Sequence, residues 1–76
     1  MTNTEQTRTN ERFSVTLVPP AQDALEAVTS RTHASKNDVV NRALQLYAFL
    51  DDVQARDGRV YIQEKGEEQL SRIKFF

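Results

Sequence analysis

The chain has 76 residues, a net charge of −1 and no cysteine. That bounds it to one small domain without disulfides or cysteine-held metal, and a core of this size is marginal unless another chain adds buried area. The near-neutral balance argues against a basic nucleic-acid coat: residues 1–36 hold four basic and four acidic residues, so the first half is no basic arm. DNA contact stays open, because it depends on where the cations sit, and modest non-specific affinity with a real salt dependence is expected.

Met1 to Glu11 is polar, rich in Thr and Asn, and has no apolar run resembling a signal peptide. It reads as a flexible N-terminal tail over residues 1–11, with Arg8 the one cation able to touch a DNA backbone. No segment approaches membrane-spanning length. The lack of cysteine fits a reducing compartment, so a cytoplasmic protein with no membrane partner is expected.

Residues 12–18, Arg-Phe-Ser-Val-Thr-Leu-Val, alternate strictly. Side chains flip face at each residue of a strand, which sets Phe13, Val15 and Leu17 on one face and Arg12, Ser14 and Thr16 on the other. The polar three are types that can hydrogen-bond a base edge. A lone strand leaves its backbone groups unsatisfied, and the simplest partner is the same strand of a second copy.

Pro19-Pro20 ends the strand, because proline has no N–H for a ladder and suits a first helical turn. Ala21, Ala24, Leu25 and Val28 then recur at helical spacing, which predicts a short helix from about Pro20 to Arg31. Asp23 and Glu26 are placed early in it, where the dipole favours negative charge. Thr32-His33-Ala34 breaks the pattern, with His33 as a turn residue. Ser35 opens a second helix, with Asp38 three residues on as in a capping box.

That helix carries two apolar stripes, Val40-Ala43-Leu44-Tyr47 and Val39-Ala43-Leu46-Leu50-Val53, with Phe49 at their edge. Together they are wider than one neighbouring helix covers, as expected if both the first helix and a two-fold mate pack there. Asp57-Gly58 marks the stop, with Gly58 expected in the left-handed conformation. Beyond it, Val60-Tyr61-Ile62 and Leu70-x-x-Ile73 flank a turn at Gly66. A β-hairpin of about 59–64 with 69–74 is predicted; a strand followed by a short helix from Glu67 is the alternative. Phe75-Phe76 is too apolar for a free end and is expected to pack, with Phe49 a candidate neighbour.

Strand, short helix, tight turn and longer helix, in this order and size, resemble the ribbon-helix-helix family, the MetJ/Arc/CopG superfamily. The resemblance rests on RFSVTLV (12–18), A-x-x-A-L-x-x-V (21–28) and ASKNDVVNRALQLY (34–47), and covers about 12–56. It implies a mostly α fold with one short β-strand, built as an intertwined homodimer of β-α-α chains. The two strands would pair antiparallel and enter the DNA major groove, which admits such a ribbon. By position, Arg12, Ser14 and Thr16 would read bases, while Phe13, Val15 and Leu17, with Val40, Leu44 and Tyr47, would form the core and dimer contact. The family holds phosphate on the N-terminus of its second helix, here Ser35, Lys36 and Asn37, where free N–H groups and the dipole favour an anion. Family members usually have Gly in the preceding turn; this chain has His33, one of the few other types tolerated at positive φ.

The domain reading is therefore a tail (1–11), a DNA-binding and dimerisation domain (12–56) and a C-terminal extension (57–76), the predicted hairpin. The expected function is a homodimeric transcriptional repressor or autoregulator on a palindromic or repeated double-stranded DNA operator. One rival is an antitoxin whose residues 57–76 bind a toxin protein. A second is a dimerisation or scaffold module without DNA binding, which the acidic pI favours. No catalytic residue, metal site or cofactor is indicated: His33 is the only histidine, and Asp51-Asp52 point about 100° apart on a helix. Asn41 and Arg42 could contact the DNA backbone or support the dimer.

Overall fold

The computed structural model describes residues 9–12 and 14–75. Most of residues 1–11 and the aromatic residues Phe13 and Phe76 therefore lie outside the described residues. The architecture is mostly helical: α1 (Pro19–Thr32), α2 (Lys36–Ala55) and a two-stranded antiparallel sheet of β1 (Val60–Ile62) and β2 (Ser71–Ile73).

Helix α1 begins one residue earlier than the sequence suggests. Val18 is its extended N-cap at φ −72°, ψ 157°, and its carbonyl accepts from the N–H groups of Ala21 (2.9 Å) and Gln22 (3.0 Å). Pro19 and Pro20 have no N–H, so this terminus leaves none of its first donors stranded. Starting at Pro19 moves Asp23 and Glu26 beyond the first turn, which holds no acid. Their expected service to the dipole is corrected accordingly, since that effect fades within a turn.

The helix ends at His33, which takes the left-handed conformation at φ 60°, ψ 17° and donates its N–H to the Thr29 carbonyl at 2.8 Å. The Thr32 hydroxyl steadies the turn twice: it donates to the Val28 carbonyl at 2.7 Å and accepts from the Ala34 N–H at 3.2 Å.

Helix α2 starts where the sequence places it. Ser35 is the N-cap, and its Oγ accepts from the Asp38 N–H at 3.1 Å. Its C-terminus departs from expectation: Asp57, at φ 62°, takes the left-handed position rather than Gly58. Asp57 N–H donates to the Gln54 carbonyl at 3.0 Å and Gly58 N–H to the Val53 carbonyl at 2.8 Å, a Schellman closure. Gly58 is needed for closeness instead: a Cβ there would stand 2.7 Å from Val53 Cγ1 and 2.8 Å from the Val53 oxygen.

The predicted hairpin is present. Val60 faces Ile73, Tyr61 faces Arg72 and Ile62 faces Ser71. Gly66, at φ 90°, supplies the positive φ of a tight turn that the Glu67 N–H closes on the Glu64 carbonyl at 3.0 Å. The Gln63 amide donates to the carbonyls of Glu67 (3.1 Å) and Glu68 (3.3 Å), fixing the tip. Phe75 is half-buried and meets Tyr47 edge-to-face, with ring centroids 6.4 Å apart and planes at 71°. The C-terminal aromatic thus packs on Tyr47, whereas Phe49 remains exposed.

Two expectations are not met within one chain. The described part of residues 12–18 forms no strand. Val18 is extended, and no ladder pairs the described part of the segment with another described residue. There is also no core: no described residue is buried. Ala21, Leu25 and Val28 of α1, and Val39, Val40, Leu50 and Val53 of α2, reach only half-burial, while Ala24 is exposed. Val15, Leu44 and Tyr47, expected in the core or dimer contact, are 61%, 54% and 47% exposed. The accessible surface is 7509 Å², against about 4,700 Å² for a compact monomer of this mass.

Candidate nucleic-acid interface

The candidate residues fall into two groups at one end of the sequence. Arg12, Ser14 and Thr16 are all exposed, with Val15 and Leu17 between the polar positions. Val15 is exposed and Leu17 half-buried, so the alternation is one of chemistry more than of burial in a single chain. Phe13, expected to share their apolar face, lies outside the described residues.

The second group is the turn from α1 into α2. His33, in its left-handed conformation, delivers the chain to Ser35, whose extended backbone (φ −70°, ψ 159°) starts α2. The first-turn donors are then assigned in order. Ser35 Oγ takes the Asp38 N–H, and the Ser35 carbonyl takes the Val39 N–H at 3.0 Å. The N–H groups of Lys36 and Asn37 have no acceptor among the described residues. Both are exposed, as is the Lys36 side chain, which forms no ion pair among the described residues.

This separates the two helix N-termini chemically. The α1 terminus has prolines where its first free donors would be. The α2 terminus offers two adjacent N–H groups, the positive end of a 20-residue helix dipole and one ammonium group. An anion gains from all three, and Ser35 caps the helix without consuming the first two donors. Asp38 sits in the same turn and offsets part of the field. Asn41 is turned to the helix, its Nδ2 donating to the Asn37 carbonyl at 2.7 Å. That removes one of its donors from external contact and leaves Arg42 exposed nearby in sequence.

The sequence reading passed over a second charged surface. Register places Tyr61 opposite Arg72, and Arg59 and Lys74 lie directly beyond the last pair, Val60 with Ile73. All four belong to the same face of the hairpin, since alternate residues share a face. The signal was present in Arg59-Val60-Tyr61 and Arg72-Ile73-Lys74, each alternating a cationic or aromatic residue with an aliphatic one. It became readable only with the strand register.

Among the described residues no three or more His, Asp or Glu gather as a metal site, and no helix is long and apolar enough to cross a membrane. Comparison with protein-family models, curated proteins and solved structures gives no match for this chain.

Proposed function

We propose that the chain is a homodimeric, sequence-specific double-stranded DNA-binding regulator of the ribbon-helix-helix type, repressing or autoregulating from a palindromic or repeated operator. The observation that carries this reading is a paired incompleteness. Among the described residues, the alternating segment 12–18 has no strand partner, and α2 has apolar side chains left exposed. A second copy answers both needs at once: two antiparallel segments satisfy each other's backbone, and the mate's helices cover Leu44 on one flank of α2 and Leu46 with Phe49 on the other, about 160° away. Each of these side chains is more than half exposed in the single chain, and fully burying one is worth roughly 1.5–3 kcal/mol.

In the proposed complex the ribbon lies in the major groove with Arg12, Ser14 and Thr16 toward the base edges. Arg12 is suited to a bidentate contact with guanine, Ser14 to either donor or acceptor groups, and Thr16 to a thymine methyl. Lys36 and Asn37 N–H groups and the Lys36 ammonium hold a backbone phosphate, which fixes register without reading sequence.

A mobility-shift titration of Arg12→Ala tests the division of labour. Specific affinity is expected to fall by about 1–3 kcal/mol while affinity for unrelated duplex changes little. Lys36→Ala is expected to weaken both alike and to lower the salt slope by about one. Equal losses on specific and unrelated duplex for Arg12→Ala would remove the ribbon as reader.

A further inference from the structure

The hairpin lies outside the DNA-binding reading, and its charges are segregated along its length. At its base, Arg59, Arg72 and Lys74 share one face with Tyr61, by the register described above. None of the three cations makes an ion pair; the one salt bridge among the described residues is Arg56–Asp52 on α2. Arg59 and Lys74 both lie beyond the last pair, Val60 with Ile73, so two like charges stand at the open end of the hairpin. At the tip, residues 63–70 carry Glu64, Glu67 and Glu68 against Lys65, a net of −2. The tip holds a defined shape through the Gly66 turn and the Gln63 clamp on the Glu67 and Glu68 carbonyls.

A cationic face with an exposed tyrosine (48%) could suit a nucleic-acid backbone. Two features weigh against it. The hairpin springs from the far end of α2, about 30 Å along a 20-residue helix from Lys36 and Asn37. A strand of nucleic acid running along the hairpin would also meet the acidic tip. The charge pattern instead complements itself. Base to tip is about 20 Å in a hairpin of this length. Laying two hairpins antiparallel sets each cationic base on the other's acidic tip.

We propose that the hairpin is a self-complementary contact between two copies of the chain, its Arg59–Arg72–Lys74 base receiving the Glu64–Glu67–Glu68 tip of the other. Such a contact is isologous, the same surface of each hairpin meeting the other. It brings Tyr61, across from Arg72, against its counterpart; Tyr61 is about half exposed. Because exposed ion pairs are individually weak and screened by salt, the contact is reversible and strongest at low ionic strength. It is separate from the apolar dimer proposed above, and it rests on that reading only for the unit being joined: dimers pair into tetramers.

Sedimentation equilibrium of the full chain tests this at about 10 mM and about 1 M ionic strength, where the screening length changes from about 30 Å to about 3 Å. The wild-type mass is expected to double at low salt relative to high salt. R59E/R72E/K74E makes the hairpin base acidic like its tip and E64K/E67K/E68K makes the tip basic like its base; each alone is expected to lose the low-salt doubling. An equimolar mixture of the two is expected to recover it, since opposite hairpins then face one another. Circular dichroism checks folding, and the glutamine versions of both sets replace any reversal variant that does not fold. A wild-type mass indifferent to salt, or reversal variants that fail to associate on mixing, overturns the contact. Loss of DNA retention by R59E/R72E/K74E with the low-salt mass unchanged also overturns it and assigns the face to nucleic acid. The high-salt mass reports the apolar dimer independently, so failure of either proposal shows separately.

Discussion

His33 and Gly58 show how single backbone positions shape the turns around α2. His33 occupies the left-handed region at φ 60°, where most side chains are strained and glycine is not. His33→Gly is expected to raise stability by a few tenths to about 1 kcal/mol, the relief being partly offset by the freer unfolded chain. His33→Val is expected to lower it by more than about 1 kcal/mol. Thermal melts at one fixed protein concentration measure both, and a gain for the valine variant would contradict the account of the turn. At Gly58 the constraint is space. An alanine Cβ would stand 2.7 Å from Val53 Cγ1 and 2.8 Å from the carbonyl oxygen that the Gly58 N–H itself bonds. Gly58→Ala is expected to cost about 1–3 kcal/mol, the scale of overpacking. A melt unchanged from wild type would show that the α2 terminus yields freely.

Local chemistry made most elements legible in the sequence. The Ser35 cap, the apolar spacing after it, and the turn glycine between two β-forming runs each act within a few residues, and α2 and the hairpin follow them. The misses lie where a distant partner decides. Gly58 looked like the left-handed residue, yet Asp57 takes that role because Gly58 must pass close to Val53. Phe75 finds Tyr47 rather than Phe49, a choice made by how the hairpin folds onto α2, which no local pattern encodes. Residues 12–18 read as a strand from alternation alone, but a strand needs a neighbour, and none stands among the described residues. Of the candidate site, the turn at Ser35 was readable in advance, while the cationic hairpin face waited on register. The hairpin's own contribution can be measured. Phe75→Ala removes an edge-to-face contact worth about 0.5–1.5 kcal/mol beyond its buried area, so the melt is expected to fall by at least that much. Deleting residues 57–76 is expected to lower the melt further while leaving duplex binding intact. Loss of duplex binding by a still-folded truncation would place DNA contact in the extension.

For the molecule as a whole, the deciding fact is that no described residue is buried in a chain with this much apolar side chain. Val15, Leu44, Leu46 and Phe49 are each more than half exposed, apolar surface of the kind that dimer interfaces remove. The chain is therefore expected to sediment as a dimer at high salt, with Leu46→Lys, on the uncovered face of α2, shifting it toward unfolded monomer. Wild-type monomer that remains folded at micromolar concentration would contradict the dimer.

The most direct test of the central claim is selection of bound duplexes from a random-sequence double-stranded pool at low salt, run in parallel with wild type and Arg12→Ala. Wild type is expected to enrich a two-fold symmetric or directly repeated site, and Arg12→Ala to lose that preference while still retaining duplex. Retention of no duplex by wild type, or the same enriched site with both proteins, would contradict it.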